Sequence, residues 1–321
     1  MPLLRCEHVC LSYDGLRDAV SDLTLAVEPG SIFALVGPNG AGKTSTLRML
    51  ATLQPPTSGT LVVDGIDLQR DPESARRRIG YLPDHFALYD QQTPVEYLEF
   101  FARLHGVPSK GRRARIDALL EELDLSEKRT SPIRTLSRGM RQRLGLAKTL
   151  VHEPKLLLLD EPASALDPGA RIKLRDALLR LRRREVAVII SSHILPDLAG
   201  LADSVGIMEG GRLISSGAIE DVAGKARGAE VVLLVVVGHP DRARRVFGDF
   251  GARVVAVEEA APGRFHVTVN APPADGGRAL EELVADLADA LVLRGARLSH
   301  LAPRESALEA VYRASAASAV A

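Results

Sequence analysis

Nine consecutive residues, Gly37-Pro38-Asn39-Gly40-Ala41-Gly42-Lys43-Thr44-Ser45, have the types and spacing needed to hold phosphate. In the pattern G-x-x-x-x-G-K-[ST] the glycines at 37 and 42 let the backbone curl until successive N–H groups point inward at phosphate oxygens. The Lys43 ammonium adds a full charge, and the Thr44 hydroxyl is placed to face Mg2+. A second stretch, Asp160-Glu161, puts two carboxylates side by side after the apolar run Leu156-Leu157-Leu158-Leu159. In phosphate-loop ATPases an aspartate at such a strand end holds Mg2+ through water, and a neighbouring carboxylate aligns the attacking water. Asp160 and Glu161 suit those two roles, because a buried carboxylate without a cation or donor is costly.

Elements on either side must aim these groups. Ile32-Phe33-Ala34-Leu35-Val36 reads as a buried strand entering the phosphate loop, and Thr46-Leu47-Arg48-Met49-Leu50 as the first turns of a helix leaving it. That helix contributes about half a positive charge at its N-terminus, where the phosphates would sit. Leu3 to Tyr13 alternates like a strand and ends in the turn Asp14-Gly15. Tyr13 offers a ring for an adenine, a stacking worth about 1–3 kcal/mol. Leu136-Ser137-Arg138-Gly139-Met140 reads as a loop opening a helix. Ser164-Ala165-Leu166-Asp167-Pro168 precedes an amphipathic helix through Arg184, and a strand from Val186 to Ile190 ends at Ser191-Ser192-His193.

Between about 84 and 150 the pattern becomes helical. Thr93-Pro94-Val95-Glu96 is a helix start with a cap, proline at the first helical place and glutamate three residues after the cap. Six of the twelve aromatic residues, Tyr81, Phe86, Tyr89, Tyr97, Phe100 and Phe101, crowd around it. Helical spacing assigns Tyr97, Phe100 and Phe101 to the core of a small helical subdomain. Phe86, Leu88 and Tyr89 precede the helix in a turn-like stretch, where they either pack locally or form a docking patch for another protein. The basic run Lys110-Gly111-Arg112-Arg113-Ala114-Arg115 reads as a solvated face, with contact to an anionic lipid or partner as the alternative.

Composition narrows the class. Lys plus Arg at 41 equals Asp plus Glu at 41, so no net basic field of the nucleic-acid-binding kind is present, and no nucleic-acid partner is expected. The longest aliphatic runs are far shorter than the roughly 20 residues that span a bilayer. The opening Met1-Pro2-Leu3-Leu4-Arg5 lacks the order of a secretory signal, and Cys6 and Cys10 lie on one strand where they cannot easily pair, which together predict a reducing cytoplasm.

Taken in order, these motifs resemble the nucleotide-binding subunit of an ATP-binding cassette (ABC) transporter, over about residues 1–222. The resemblance implies an α/β phosphate-loop ATPase fold. Tyr13 matches the adenine-stacking aromatic and Gly37 to Ser45 the Walker A loop. Ser137 and Gly139 match the signature that contacts ATP on the opposite subunit. Asp160 matches the Walker B aspartate, Glu161 the general base, Asp167 the D-loop and His193 the switch histidine. Two departures stand out: Leu-Ser-Arg-Gly-Met in place of Leu-Ser-Gly-Gly-Gln, and Asp84 where most members carry a Mg2+-sensing glutamine. Both resemble the branch in which ATPase and permease are separate chains and which mostly exports. The resemblance implies ATP and Mg2+ as cofactors, a head-to-tail dimer of two copies closing over two ATP molecules, a separate membrane permease, and a place at the cytoplasmic face of the membrane.

Residues 223–321 read as a second domain. Strands at Val231 to Val237, Arg253 to Glu258, Phe265 to Asn270 and Arg297 to Leu301, with helices at Asp241 to Phe250 and Arg278 to Arg294, spell β-α-β-β-α-β, the ferredoxin-like order. The hairpin turns at Pro262-Gly263, and a last helix runs from Glu305 to Ala314. The domain resembles the C-terminal extension of export-type ABC ATPases, with regulation, dimer contact and passive stabilisation all open. A soluble ABC ATPase acting on a macromolecular complex is the rival function. The single Walker A, and the lack of a long heptad segment before Walker B, weigh for transport.

Overall fold

Strands that are apolar at every position need cover on both faces, and a parallel sheet between other layers supplies it. The computed structural model describes residues 1–164, 166–192, 198, 200–219, 222, 230–237, 240–249, 254–261, 264–269 and 278–303. They divide between two compact units, Met1–Ala218 and Ile219–Ala321.

The first unit opens with β1 (Leu4–Ser12) and β2 (Asp18–Val27), an antiparallel ribbon. Then β3 (Ile32–Val36) feeds the phosphate loop and α1 (Lys43–Leu50) leaves it. After β4 (Ser58–Val63), β5 (Ile66–Asp67) and the short α2 (Pro72–Arg76), β6 (Ile79–Leu82) enters the core. Three helices follow, α3 (Pro94–Leu104), α4 (Ser109–Glu122) and α5 (Arg138–Leu150). The unit continues through β7 (Leu156–Leu159), α6 (Pro168–Arg183), β8 (Ala187–Ser192), β9 (Ser204–Glu209) and β10 (Arg212–Ala218).

These strands make two sheets, one ordered β2-β1-β4-β5 and the other β10-β9-β3-β8-β7-β6. In the second, β9, β3, β8, β7 and β6 are parallel and β10 is antiparallel to β9. Every residue of β3, β7 and β8 is buried. One apolar core joins the layers, with Leu4, Val20 and Leu61 from the first sheet, Phe33, Leu158 and Ile189 from the second, and Leu47 and Leu50 of α1. Pairing of Val36 with Ser192 and of Leu159 with Ile190 sets the carboxyl ends of β3, β7 and β8 level. Ligands of open parallel sheets bind in the crevice beyond such ends.

In the helical region α3 begins as the sequence predicts: Thr93 Oγ1 accepts from the Glu96 N–H, Glu96 accepts from the Thr93 N–H, and Pro94 stands first. Such a cap contributes about 1 kcal/mol. Tyr97 is buried and meets Phe101 edge-on at 4.9 Å, as expected for residues four apart. Phe100 departs from the expectation. It is 46% exposed, because three residues after Tyr97 it falls on the flank of the helix, edge-on to Tyr89 and Phe101. The basic run also needs correction. Arg112 pairs with Glu99 at 2.9 Å and donates to the Val107 carbonyl, while Arg115 donates to the Leu150 carbonyl and pairs with Glu153. Three residues apart on α4, these two guanidiniums turn inward and tie the helix down, whereas Arg113 pairs along the surface with Asp117.

The second unit holds β11 (Glu230–Val237), α7 (Pro240–Asp249), β12 (Val254–Ala261), β13 (Arg264–Val269), α8 (Arg278–Leu293) and β14 (Arg297–Pro303). Its four strands form an antiparallel sheet ordered β12-β13-β11-β14. Residues at helical spacing make its core: Ala243, Val246 and Phe247 of α7 and Leu283, Leu287 and Leu291 of α8 pack with Phe265 and Val267 of β13. The turn at Pro262-Gly263 and the helix expected from Glu305 to Ala314 lie outside the described residues.

Candidate nucleotide site

The phosphate loop bends where its glycines require it. Gly42 has φ +102°, and a Cβ there would stand 2.5 Å from the Ala19 carbonyl oxygen of β2. At Gly37 a Cβ would stand 2.2 Å from the Met208 carbonyl oxygen of β9. One position therefore needs glycine for conformation as well as space, the other for space alone. Pro38, Asn39, Gly40 and Ala41 complete the curve, closed by a bond from the Ala41 N–H to the Pro38 carbonyl at 3.2 Å.

Lys43 turns back over this loop. Lys43 is 5% exposed, and its ammonium donates to the Gly37 carbonyl at 2.7 Å and the Pro38 carbonyl at 3.1 Å. Glu161 Oε1 lies 3.5 Å from the same nitrogen, so the second carboxylate of the sequence pair reaches the loop. Asp160 is 1% exposed. Its Oδ1 accepts from the Thr44 hydroxyl at 3.2 Å and from the Ser191 hydroxyl at 2.7 Å. Burial pushes the Asp160 carboxyl above its ordinary range, the Ser191 and Thr44 bonds oppose that, and the Asp84 and Glu161 charges add to it. A buried carboxylate raised in this way favours a nearby cation. Ser45 accepts from the Tyr13 hydroxyl at 3.2 Å, which brings the half-exposed Tyr13 ring to the edge of the loop.

Other predicted residues gather elsewhere. Ser137 caps α5 by accepting from the Met140 N–H, and Asp167 caps α6 by accepting from the Ala170 N–H at 2.9 Å. A Cβ at Gly139 would touch the Ala170 Cβ at 3.0 Å, so the starts of the two helices press together and bring Ser137, Gly139 and Asp167 into one neighbourhood. Among the described residues no hydrogen bond or ion pair joins that neighbourhood to the phosphate loop. Asp84 pairs with His85 at 2.9 Å on the surface and hydrogen-bonds neither Thr44 nor Asp160; only its charge is felt there. His193 and Ala165 lie outside the described residues. The sequence marks Ser191 only through the hydroxyl pair Ser191-Ser192 that closes a buried strand of aliphatic residues.

Residues 20–164 match the profile of the family described as ABC transporter. Over 220 residues the chain is 41% identical to the Uncharacterized ABC transporter ATP-binding protein YxlF of Bacillus subtilis (strain 168), a match covering 68% of this chain and 72% of that protein. The chain belongs to the ABC transporter ATP-binding proteins. This ABC ATPase is also 33% identical over 305 residues to the Daunorubicin resistance ATP-binding protein DrrA3 of Streptomyces coeruleorubidus, covering 93% of this chain and 91% of that one. A solved structure titled "Structure of ATP binding subunit of ABC transporter" superposes with a TM-score of 0.64 at 30% identity, over 70% of this chain and 92% of that chain. Family membership makes ATP the nucleotide and makes the chain an ATP-hydrolysing transporter subunit.

Proposed function

We propose that this ABC ATPase powers a separate membrane permease, in the export direction, through a head-to-tail dimer that ATP closes and hydrolysis reopens. The observation that carries the reading is the convergence of Lys43, Thr44, Asp160 and Glu161 beyond the carboxyl ends of β3 and β7. In this reading the loop from Gly37 to Ser45 cradles the phosphates, Tyr13 stacks the adenine, and Glu161 takes the proton of the attacking water, with the switch role assigned to His193 by the match of its motif to the family. Thr44 and Asp160 would hold Mg2+, which suits their oxygen donors and would neutralise phosphate charge when bound. Among the described residues no three His, Cys, Asp or Glu side chains converge as a protein-only metal cage, in keeping with a cation that a nucleotide brings with it.

Ser137 and Gly139 complete the site of the second copy, and Asp167 lines the same interface. Phe86, Leu88 and Tyr89 form the permease patch: a Cβ at Gly145 would stand 2.5 Å from the Phe86 ring, so α5 seats Phe86 while Tyr89 stays 50% exposed. Among the described residues no helix is long and apolar enough to cross a membrane, which fits a subunit attached at the cytoplasmic face. Residues 1–222 act as the ATPase domain. Residues 223–321 form a ferredoxin-like accessory domain, a reading supported by the strand order β12-β13-β11-β14 and by the DrrA3 match extending over 93% of the chain. The resistance function in that relative's name supports export.

Ser137→Asp tests the dimer directly. Aspartate caps a helix as well as serine does, so α5 keeps its start, but its charge would face the phosphates of the partner's ATP. We expect the variant to bind ATP within twofold of wild type and to remain monomeric with MgATP in sedimentation velocity, in a Glu161→Gln background that otherwise dimerises. A dimer that persists would remove Ser137 from the second site.

A further inference from the structure

We infer that Ser191 is the positioning residue that sets both carboxylates of this site at once, an inference resting on the ATPase reading above. Its hydroxyl is fully buried at the end of β8, one strand over from β7, where the carboxylate pair begins. Two bonds meet on it: the Glu161 N–H lies 2.9 Å from Ser191 Oγ, and Oγ lies 2.7 Å from Asp160 Oδ1. Proton counting fixes their direction. A peptide N–H can only donate, so Oγ accepts from Glu161, and the single hydroxyl proton goes to Asp160.

Each bond restrains something the chemistry needs. Glu161 has φ +47°, a left-handed backbone uncommon for a residue with a side chain. Holding its N–H keeps that turn, which sends the Glu161 side chain to within 3.5 Å of Lys43 Nζ. On Asp160 both hydroxyls, from Thr44 and Ser191, converge on Oδ1, so the carboxylate is held in one rotation and Oδ2 carries neither bond. One side chain thus links the backbone of the proposed base to the carboxylate proposed to face Mg2+. Of β8, Ala187, Val188, Ile189 and Ile190 carry no side-chain polar atom, and it is the Ser191 hydroxyl that bonds both Glu161 N–H and Asp160.

Ser191→Ala and Ser191→Thr separate this role from packing. Partners that orient a metal-facing or reacting group are worth about 10–100-fold when removed. Ser191→Ala is expected to lower kcat by about that factor, and to lose by about tenfold the gain that Mg2+ gives to binding of a fluorescent ATP analogue. Its affinity for the analogue in EDTA should equal that of wild type. Ser191→Thr, which keeps the hydroxyl, should restore both values, with thermal unfolding showing that both variants fold. Wild-type kcat and Mg2+ gain in folded Ser191→Ala would overturn the inference, as would a folded Ser191→Thr no better than alanine. Glu161→Gln tells the two claims apart: turnover there brings down the ATPase reading, whereas an inert Glu161→Gln beside a fully active Ser191→Ala removes only the role of Ser191.

Discussion

Glu161→Gln lowers steady-state phosphate release by about 10²–10⁴, the usual worth of a general base, while ATP still binds. The substitution keeps the length and shape of the side chain and removes only the charge that accepts a proton. Its backbone turn at φ +47° and the bond from its N–H to Ser191 do not depend on that charge. Glutamine therefore stays beside Lys43 and the loop. Because hydrolysis is what reopens the pair in this account, the variant accumulates as a dimer in MgATP and runs as a monomer in its absence. Phosphate release and sedimentation velocity on one preparation read both effects. Normal turnover would take the base assignment away from Glu161.

Lys43→Ala produces the second large effect, on affinity. The ammonium is buried, bonded to two carbonyls of the loop and 3.5 Å from Glu161, so it stands over the place where phosphate charge would arrive. Truncating one partner of a buried, hydrogen-bonded charge pair costs about 2–5 kcal/mol, or about 30-fold to about 4,000-fold in affinity. Equilibrium binding of a fluorescent ATP analogue measures the loss, with circular dichroism as the check on folding. Binding at wild-type affinity would mean that the ammonium does not face the phosphates.

The motifs of the candidate site lie within short stretches of sequence, whereas the fold depends on pairings between distant ones. The phosphate loop was legible because its glycines, lysine and threonine are fixed by backbone geometry and charge within nine residues. Asp160 and Glu161 were legible because a carboxylate pair after four leucines has few structural uses. Ser191 was not, since its meaning comes from β8 lying beside β7, a long-range pairing that no local pattern encodes. The same limit hid β2: Asp18 and Asp22 interrupt its alternation, and Asp22 sits at φ +51° in a register shift against β1. Arg112 departs because a run of charges does not say which guanidiniums find carbonyls and carboxylates inward of the surface, and Phe100 for a reason of helix geometry. Helical periodicity tells which residues share a face, but the neighbouring helices decide whether that face is covered. In the second unit Leu283, Leu287 and Leu291 repeat every four residues along one stripe and lie in its core.

Affinity purification of the intact chain from detergent-solubilised native membranes, with mass spectrometry of what accompanies it, tests whether this ATPase serves a membrane permease. The expected result is a stoichiometric multi-helix membrane protein that the ATPase retains through washing and loses when the patch at Phe86, Leu88 and Tyr89 is replaced by charged residues. A chain recovered only from the soluble fraction, bound to a soluble complex and to no membrane protein, would contradict the transport role while leaving the ATPase in place.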